Sequence, residues 1–321
     1  MAWRYRAQFG SQGTADDQFR APNGVAVSAD GRTVWVADQQ NDRISVWTRP
    51  TSTSTEWSHS INFGSGGSGG ANFYAPAGVA VSADGLTVWV ADHDNLRVSV
   101  WTRTTNTSTE WSPSTTFGSG PGIGGDNFNG TSGVAVSADG RTVWAVDNGN
   151  NRISVWTRTT NTSIDWSPGT IFGSQGSGDD QFNAPTFVAV SADGRTAWVA
   201  DQFNNRISVW TRPTDSSTEW SHSTNFGTEG SGVSQFQAPI GVAVSGSGRT
   251  VWVTEYSNNR ISVWTRPSNT STNWSPSTTF GSYGSGDDSF HAPMAVAVSA
   301  DGRTVWVADS ANNRISIWTY S

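Results

Sequence analysis

The side chains able to do chemistry are few, and their spacing says what each can do. Among 321 residues there are four histidines, 26 acids and no cysteine. The missing thiols exclude disulfides, zinc–thiolate sites, iron–sulfur clusters and thiol catalysis, and leave the redox compartment open. The histidines do not converge: His59 and His222 take equivalent outer positions, His93 sits in a turn, and His291 lies in the loop before a strand. Asp16-Asp17, Asp179-Asp180 and Asp287-Asp288 occupy Gly-rich loops and offer oxygen ligands, but without the dense alternation of a calcium loop. Asp38 and Arg43 bracket a turn, as do Asp92/Arg97, Asp147/Arg152, Asp201/Arg206, Glu255/Arg260 and Asp309/Arg314. A catalytic acid is needed once, so an ion pair present six times reads as structural. No G-x-S-x-G or H-E-x-x-H occurs. The Gly64–Gly70 stretch has no following helix whose dipole would hold a phosphate. On these counts the chain is expected to be no enzyme and to hold neither metal nor cofactor.

The elements that position these groups are set by a repeat. A Phe-Gly pair recurs at Phe9, Phe63, Phe117, Phe172, Phe226 and Phe280, in steps of 54 or 55 residues. All 18 tryptophans fall on the same template, three per unit. Each unit reads as four short strands, in the first case Gly24–Ser28, Thr33–Ala37, Arg43–Thr48 and Trp57–Phe63. Alternation with period two marks the third, and Asp30-Gly31 is expected to supply two positive-φ positions of a tight hairpin between the first two. No helical period appears. Trp35 and Trp47 are expected to fill the space between neighbouring units, where each ring buries about 150–250 Å².

A unit of about 50 residues with four strands points to a propeller blade. Unit six stops after its third strand, at Ser321, while Trp3 to Phe9 repeats the spacing of Trp57 to Phe63. The opening residues are therefore expected to complete the last blade and close a ring: an all-β, six-bladed β-propeller in one domain over residues 1–321.

With Phe172–Trp210 and its five sister copies in view, the pattern F-G-S-x-G-x-G-D-D-Q-F, A-P-x-G-V-A-V, V-W-V-A-D-x-x-N-N-R-I-S-V-W resembles the NHL repeat. Unit three departs from it with Asn129-Gly130-Thr131-Ser132 in place of Ala-Pro, and unit five with Glu255 in place of Asp. The resemblance implies a six-bladed propeller and, for most members, binding or scaffolding. A minority of similar propellers are metal-dependent lyases or hydrolases with a site in the central channel.

Charge narrows the partners. All 19 basic residues are Arg, and the net charge of −7 opposes a nucleic-acid or anionic-membrane surface. No apolar stretch approaches the roughly 18 residues of a membrane span, and Met1–Gly10 lacks the apolar region of a signal peptide. Positions where the units differ, all on the face carrying the second-to-third-strand turns, are the candidates for recognition: Arg20, Asn23, Tyr74, His93, Phe187, Phe203, Tyr256, His291 and Met294. The reading is a monomeric, non-catalytic propeller binding a protein, peptide or glycan there. The alternatives are a symmetric scaffold, recently amplified or engineered, without ligand, and a hydrolase or lyase using a channel-bound metal.

Overall fold

The computed structural model describes residues 2–118 and 120–321. In blade one, Pro22–Val27, Thr33–Asp38, Arg43–Thr48 and Ser58–Phe63 pair antiparallel in chain order. Four further blades repeat this arrangement, ending at Phe117, Phe172, Phe226 and Phe280. The sixth combines Pro293–Val298, Thr304–Asp309 and Arg314–Tyr320 with Trp3–Phe9 from the other end of the chain. Trp3 lies opposite Tyr320 and Phe9 opposite Ile315, so the ring closes as the spacing requires. Helix is limited to four single 3-10 turns among the described residues.

The wedge shape of a blade follows from side-chain size. Inner strands are small where blades crowd the axis: a Cβ on Gly24 would stand 2.3 Å from the Ala77 carbonyl oxygen of the next blade. Further out, Trp35, Trp89, Trp144, Trp198 and Trp306 are fully buried. Third-strand tryptophans pack on the two phenylalanines of the loop behind them; Trp47, for example, stands 4.7 Å from Phe9 and 5.7 Å from Phe19 between ring centroids. The expectation of Trp as filler between blades holds.

Two polar devices hold the outer parts together. Arg49 donates from Nε to the Gly31 carbonyl and from Nη1 to that of Ser54, while its guanidinium lies between Trp57 of its own blade (4.8 Å) and Trp306 of the preceding one (5.6 Å). Arg103, Arg158, Arg212 and Arg266 repeat this clamp, whose cation–π contacts gain from desolvation. Blade six has Tyr320 instead, its ring tilted against Trp3 at 5.4 Å. The repeated acid is the second device. Asp38 is fully buried; it accepts from the Arg20 amide and from Asn41, and pairs with Arg43 Nε at 2.8 Å. Burial pushes the carboxyls of Asp38, Asp92, Asp201, Asp309 and Glu255 upward, against the pull of these donors. The pairs are structural, as their sixfold presence implies.

The first hairpin departs from expectation. Only Gly31 takes positive φ, at 67°. Asp30 instead accepts from the Ser28 hydroxyl (2.6 Å) and the Arg32 amide (3.0 Å), so its side chain closes a wider turn in place of left-handed backbone.

Candidate functional site

The loops before each inner strand and those after each second strand open on one face, around the channel. Their conformation is fixed by the buried acid behind them and by a latch to the neighbouring blade. In five of six places an Asp or Asn with left-handed backbone accepts the amide of the Ala before Pro in the next blade: Asp42 to Ala75, Asn151 to Ala184, Asn205 to Ala238, Asn259 to Ala292 and Asn313 to Ala21, at 2.7–2.9 Å.

The sixth place, between blades two and three, is built differently. Leu96 stands where the acceptor should be, still with φ of 54°, and Gly130-Thr131 replace the Ala-Pro it would hold. Gly149 approaches so closely that a Cβ would lie 2.3 Å from the Asn129 carbonyl oxygen, whose partner is the Gly149 amide at 2.7 Å. The space so made is beside His93: a Cβ on Gly130 would stand 3.4 Å from its Nε2. On the other edge of the ring, His93 Nδ1 lies 2.7 Å from Asp94 Oδ1. A carboxylate only accepts, so Nδ1 donates to it, and in the neutral ring the lone pair is then on Nε2. One sector of an otherwise regular ring thus carries an imidazole whose Nδ1 is held by a carboxylate, half-exposed at the channel.

The channel mouth itself is a cavity of about 220 Å³. Of the candidates, Asn23, His93, Phe187, Tyr256 and Met294 line it. Asn23 is buried, whereas Phe187 is half-buried and packs both on the core between blades four and five and, across the channel, on that between blades six and one, so that its ring obstructs the channel. Arg20 borders a neighbouring cavity of about 450 Å³ that shares Tyr256 and Met294. Tyr74, Phe203 and His291 line neither; Tyr74 and Phe203 are exposed, and His291 stands edge-on to Tyr283 at 5.0 Å. Gln39, Ser132, Asn148 and Gln202 do line the mouth and are not among the candidates. In five of the six turns the first residue lines the channel mouth and the second is exposed, so Gln202 rather than Phe203 is the one to choose.

A metal finds no home in this arrangement. Among the described residues no three His, Cys, Asp or Glu side chains come together, and the mouth offers amides, hydroxyls and one imidazole, a poor set for either Zn²⁺ or Ca²⁺.

Residues 174–321 match the family model described as Lactonase, 7-bladed beta-propeller, and residues 73–101 match that of the NHL repeat. No curated protein matches the sequence. Among solved structures, a provisionally assigned 6-phosphogluconolactonase from Bacteroides uniformis has a TM-score of 0.64 at 13% identity, covering 98% of this chain and 91% of that one. Another so assigned, from Bacteroides fragilis, has 0.61 at 12%, covering 98% and 90%. The Cps50 (Swd1) β-propeller domain of Myceliophteria thermophila has 0.57 at 14%, covering 94% and 84%. At such identities the likeness is one of fold. The lactonase match overturns the expectation of a chain that is no enzyme. That expectation rested on histidines that do not converge and on the lack of a catalytic motif; His93, placed in a turn by the sequence, pairs with Asp94 and lines the mouth.

Proposed function

We propose that this six-bladed propeller of NHL repeats is a hydrolase that opens small uncharged esters or lactones at its channel mouth without a metal. The single observation that carries the reading is the His93–Asp94 pair, 2.7 Å apart, in the one sector where the inter-blade latch is missing. The lactonase match over residues 174–321 supports the reaction class.

In this reading Asp94 holds the imidazole so that Nε2 takes a proton from water. The water oxygen adds to the ester carbonyl carbon, the acyl–oxygen bond breaks, and the imidazolium returns the proton to the departing alkoxide. Tyr256, Gln39 and Gln202 supply neutral donors at the mouth, and Phe187 blocks the channel beneath, which keeps a bound ester near the surface. No cation lines the cavity, so an uncharged substrate fits better than a phosphorylated one.

The experiment is a colorimetric pH assay over γ- and δ-lactones and simple aryl esters. His93→Gln should lower kcat/KM by about 10²–10⁴-fold, the usual contribution of a general base. Asp94→Asn should lower it less and shift the pH profile. If the wild type opens none of the panel above the buffer rate, or if His93→Gln equals it, the proposal fails.

A further inference from the structure

On the face opposite the channel mouth, three blade boundaries open into matching clefts of about 490, 410 and 560 Å³. They lie between blades one and two, three and four, and four and five. Each is within the roughly 300–1,000 Å³ of small-molecule sites. Because the blades repeat, so does the chemistry. The hairpin of one blade supplies a Ser-Ala-Asp edge, as in Ser28, Ala29 and Asp30, and the clamped Arg of the next supplies a guanidinium, as in Arg103. The polar link of that next blade adds an amide or carboxyl and a hydroxyl: Asn106 with Thr107, Asp215 with Ser216, Asn269 with Thr270.

We infer that these clefts are repeated subsites for a neutral polysaccharide, each taking one or a few sugar units. Three observations carry this. First, carboxylate, guanidinium, hydroxyl and amide stand together in one cleft, which is the mixture of acceptors and donors that sugar hydroxyls require. Oδ1 of Asp30, Asp139 and Asp193 closes its own hairpin, leaving the second oxygen outside the turn's hydrogen bonds, with that of Asp139 3.8 Å from Arg141 Nε. Second, acids and arginines share the lining and the whole chain is acidic, so a polyanion has no preference for this face. Third, the walls are held in advance: Arg103 sits between Trp35 and Trp111 and donates to the Gly85 and Ser108 carbonyls, so little ordering is needed on binding. A polymer of like units can engage several clefts at once, and such linkage raises apparent affinity by about 10²–10⁴ over one site.

Ala83, Ala138 and Ala192 are exposed, line the clefts and carry no hydrogen-bonding side chain. A large ring there fills a cleft without disturbing the clamps. The test is affinity electrophoresis in native gels cast with soluble starch, xylan, galactomannan, mixed-linkage β-glucan or dextran sulfate. The wild type should be retarded by at least one neutral polymer. Ala83→Trp should weaken retardation a few-fold, and Ala83→Trp/Ala138→Trp/Ala192→Trp by about tenfold or more. Asn106→Ala, a second variant in the exposed link, should weaken it as well. Ester hydrolysis at the opposite face should be unchanged in all of these, so failure here and failure of the hydrolase reading are separate results. Retardation by dextran sulfate alone, by no neutral polymer, or equally for a folded triple variant would overturn the inference.

Discussion

Leu96→Asn should stabilise the protein, although it replaces a core-facing apolar residue with a polar one. Leu96 sits at φ of 54°, a conformation costing a β-carbon residue about 1–2 kcal/mol and which Asn tolerates better. In the four blades with Asn at this position, its Oδ1 accepts an Ala amide at 2.7–2.9 Å; the corresponding amide at the blade-three boundary belongs to Gly130. Restoring that bond is worth about 1 kcal/mol. Against this stands the half-buried Leu side chain, packed on the core between blades two and three, whose loss costs up to about 1 kcal/mol. The balance is a gain of about 1–2 kcal/mol. Unfolding entropy of about 2.1 cal/mol/K per residue gives a chain of this length about 0.7 kcal/mol per degree, so Tm should rise by about 1.5–3 °C in calorimetry. Because the new latch would stiffen the loop under His93, ester hydrolysis should fall at the same time. A Tm equal to or below that of the wild type would refute the account of the missing latch.

Deleting residues 2–9 should lower Tm by at least about 5 °C and produce dimers in size exclusion, because it bares the edge of Arg314–Tyr320 and removes buried Phe9, a loss in the class of about 3–5 kcal/mol; a monomer of unchanged Tm would count against ring closure. Glu255→Asp should raise Tm by about 1–2 °C, since the longer acid stands fully buried in a hole that five blades fill with Asp, and relieving overpacking is worth about 1 kcal/mol or more; a drop would show that blade five has adapted to Glu. For Asp30 and Asp139, slight burial acts upward, but the Ser28 and Ser137 hydroxyls and the Arg32 and Arg141 amides outweigh it and hold both carboxyls below the ordinary 3.8. A depressed folded-state value contributes stability that is present above 3.8 and lost as pH falls below it. Urea midpoints of Asp30→Asn/Asp139→Asn should therefore lie below the wild type at pH 6 and converge with it near pH 2; a constant gap would refute this.

Fold and site were legible in the sequence to different degrees, for a physical reason. Regularity carries the fold. Trp3 to Phe9 repeating the spacing of Trp57 to Phe63 was enough to place the closing strand, because a blade lacking its fourth strand leaves an unpaired edge. The site lives in what breaks the regularity, and a break has no template. Asn129-Gly130 stood out as a departure, but its meaning depends on Leu96, which lies in the preceding blade, and on His93, whose Nε2 the missing Cβ exposes. The clamp of Arg49 between Trp57 and Trp306 was hidden for a similar reason: its rings lie on different blades, and Arg in a polar link reads as a solvated charge. Phe203 and not Gln202 stands among the candidates because a sequence difference does not say which of two adjacent residues faces the channel; the backbone of the 3-10 turn does.

A family model of seven-bladed propellers matching a ring of six is no contradiction. Blades contact only their neighbours, so what a stretch of chain encodes is the blade and its wedge angle, and the count follows when the wedges fill a turn. The matched span of residues 174–321 holds blades four and five and three strands of blade six, just under half a ring. Within it the outer wedge is filled by Trp198, Trp252 and Trp306, fully or almost fully buried, and the link Arg is pressed between two rings, while the inner strands approach to backbone contact at Gly241. Bulk outside and nothing inside opens the wedge to a sixth of a turn. Replacing the second-strand Trp by a smaller aromatic in every blade would narrow that angle, and a ring of six could then close only by leaving a gap beside Trp3–Phe9. The same local logic explains why chemistry can differ while the ring is kept: closure depends on the outer rings and the edge strand, whereas the mouth is set by two or three loop residues in one sector.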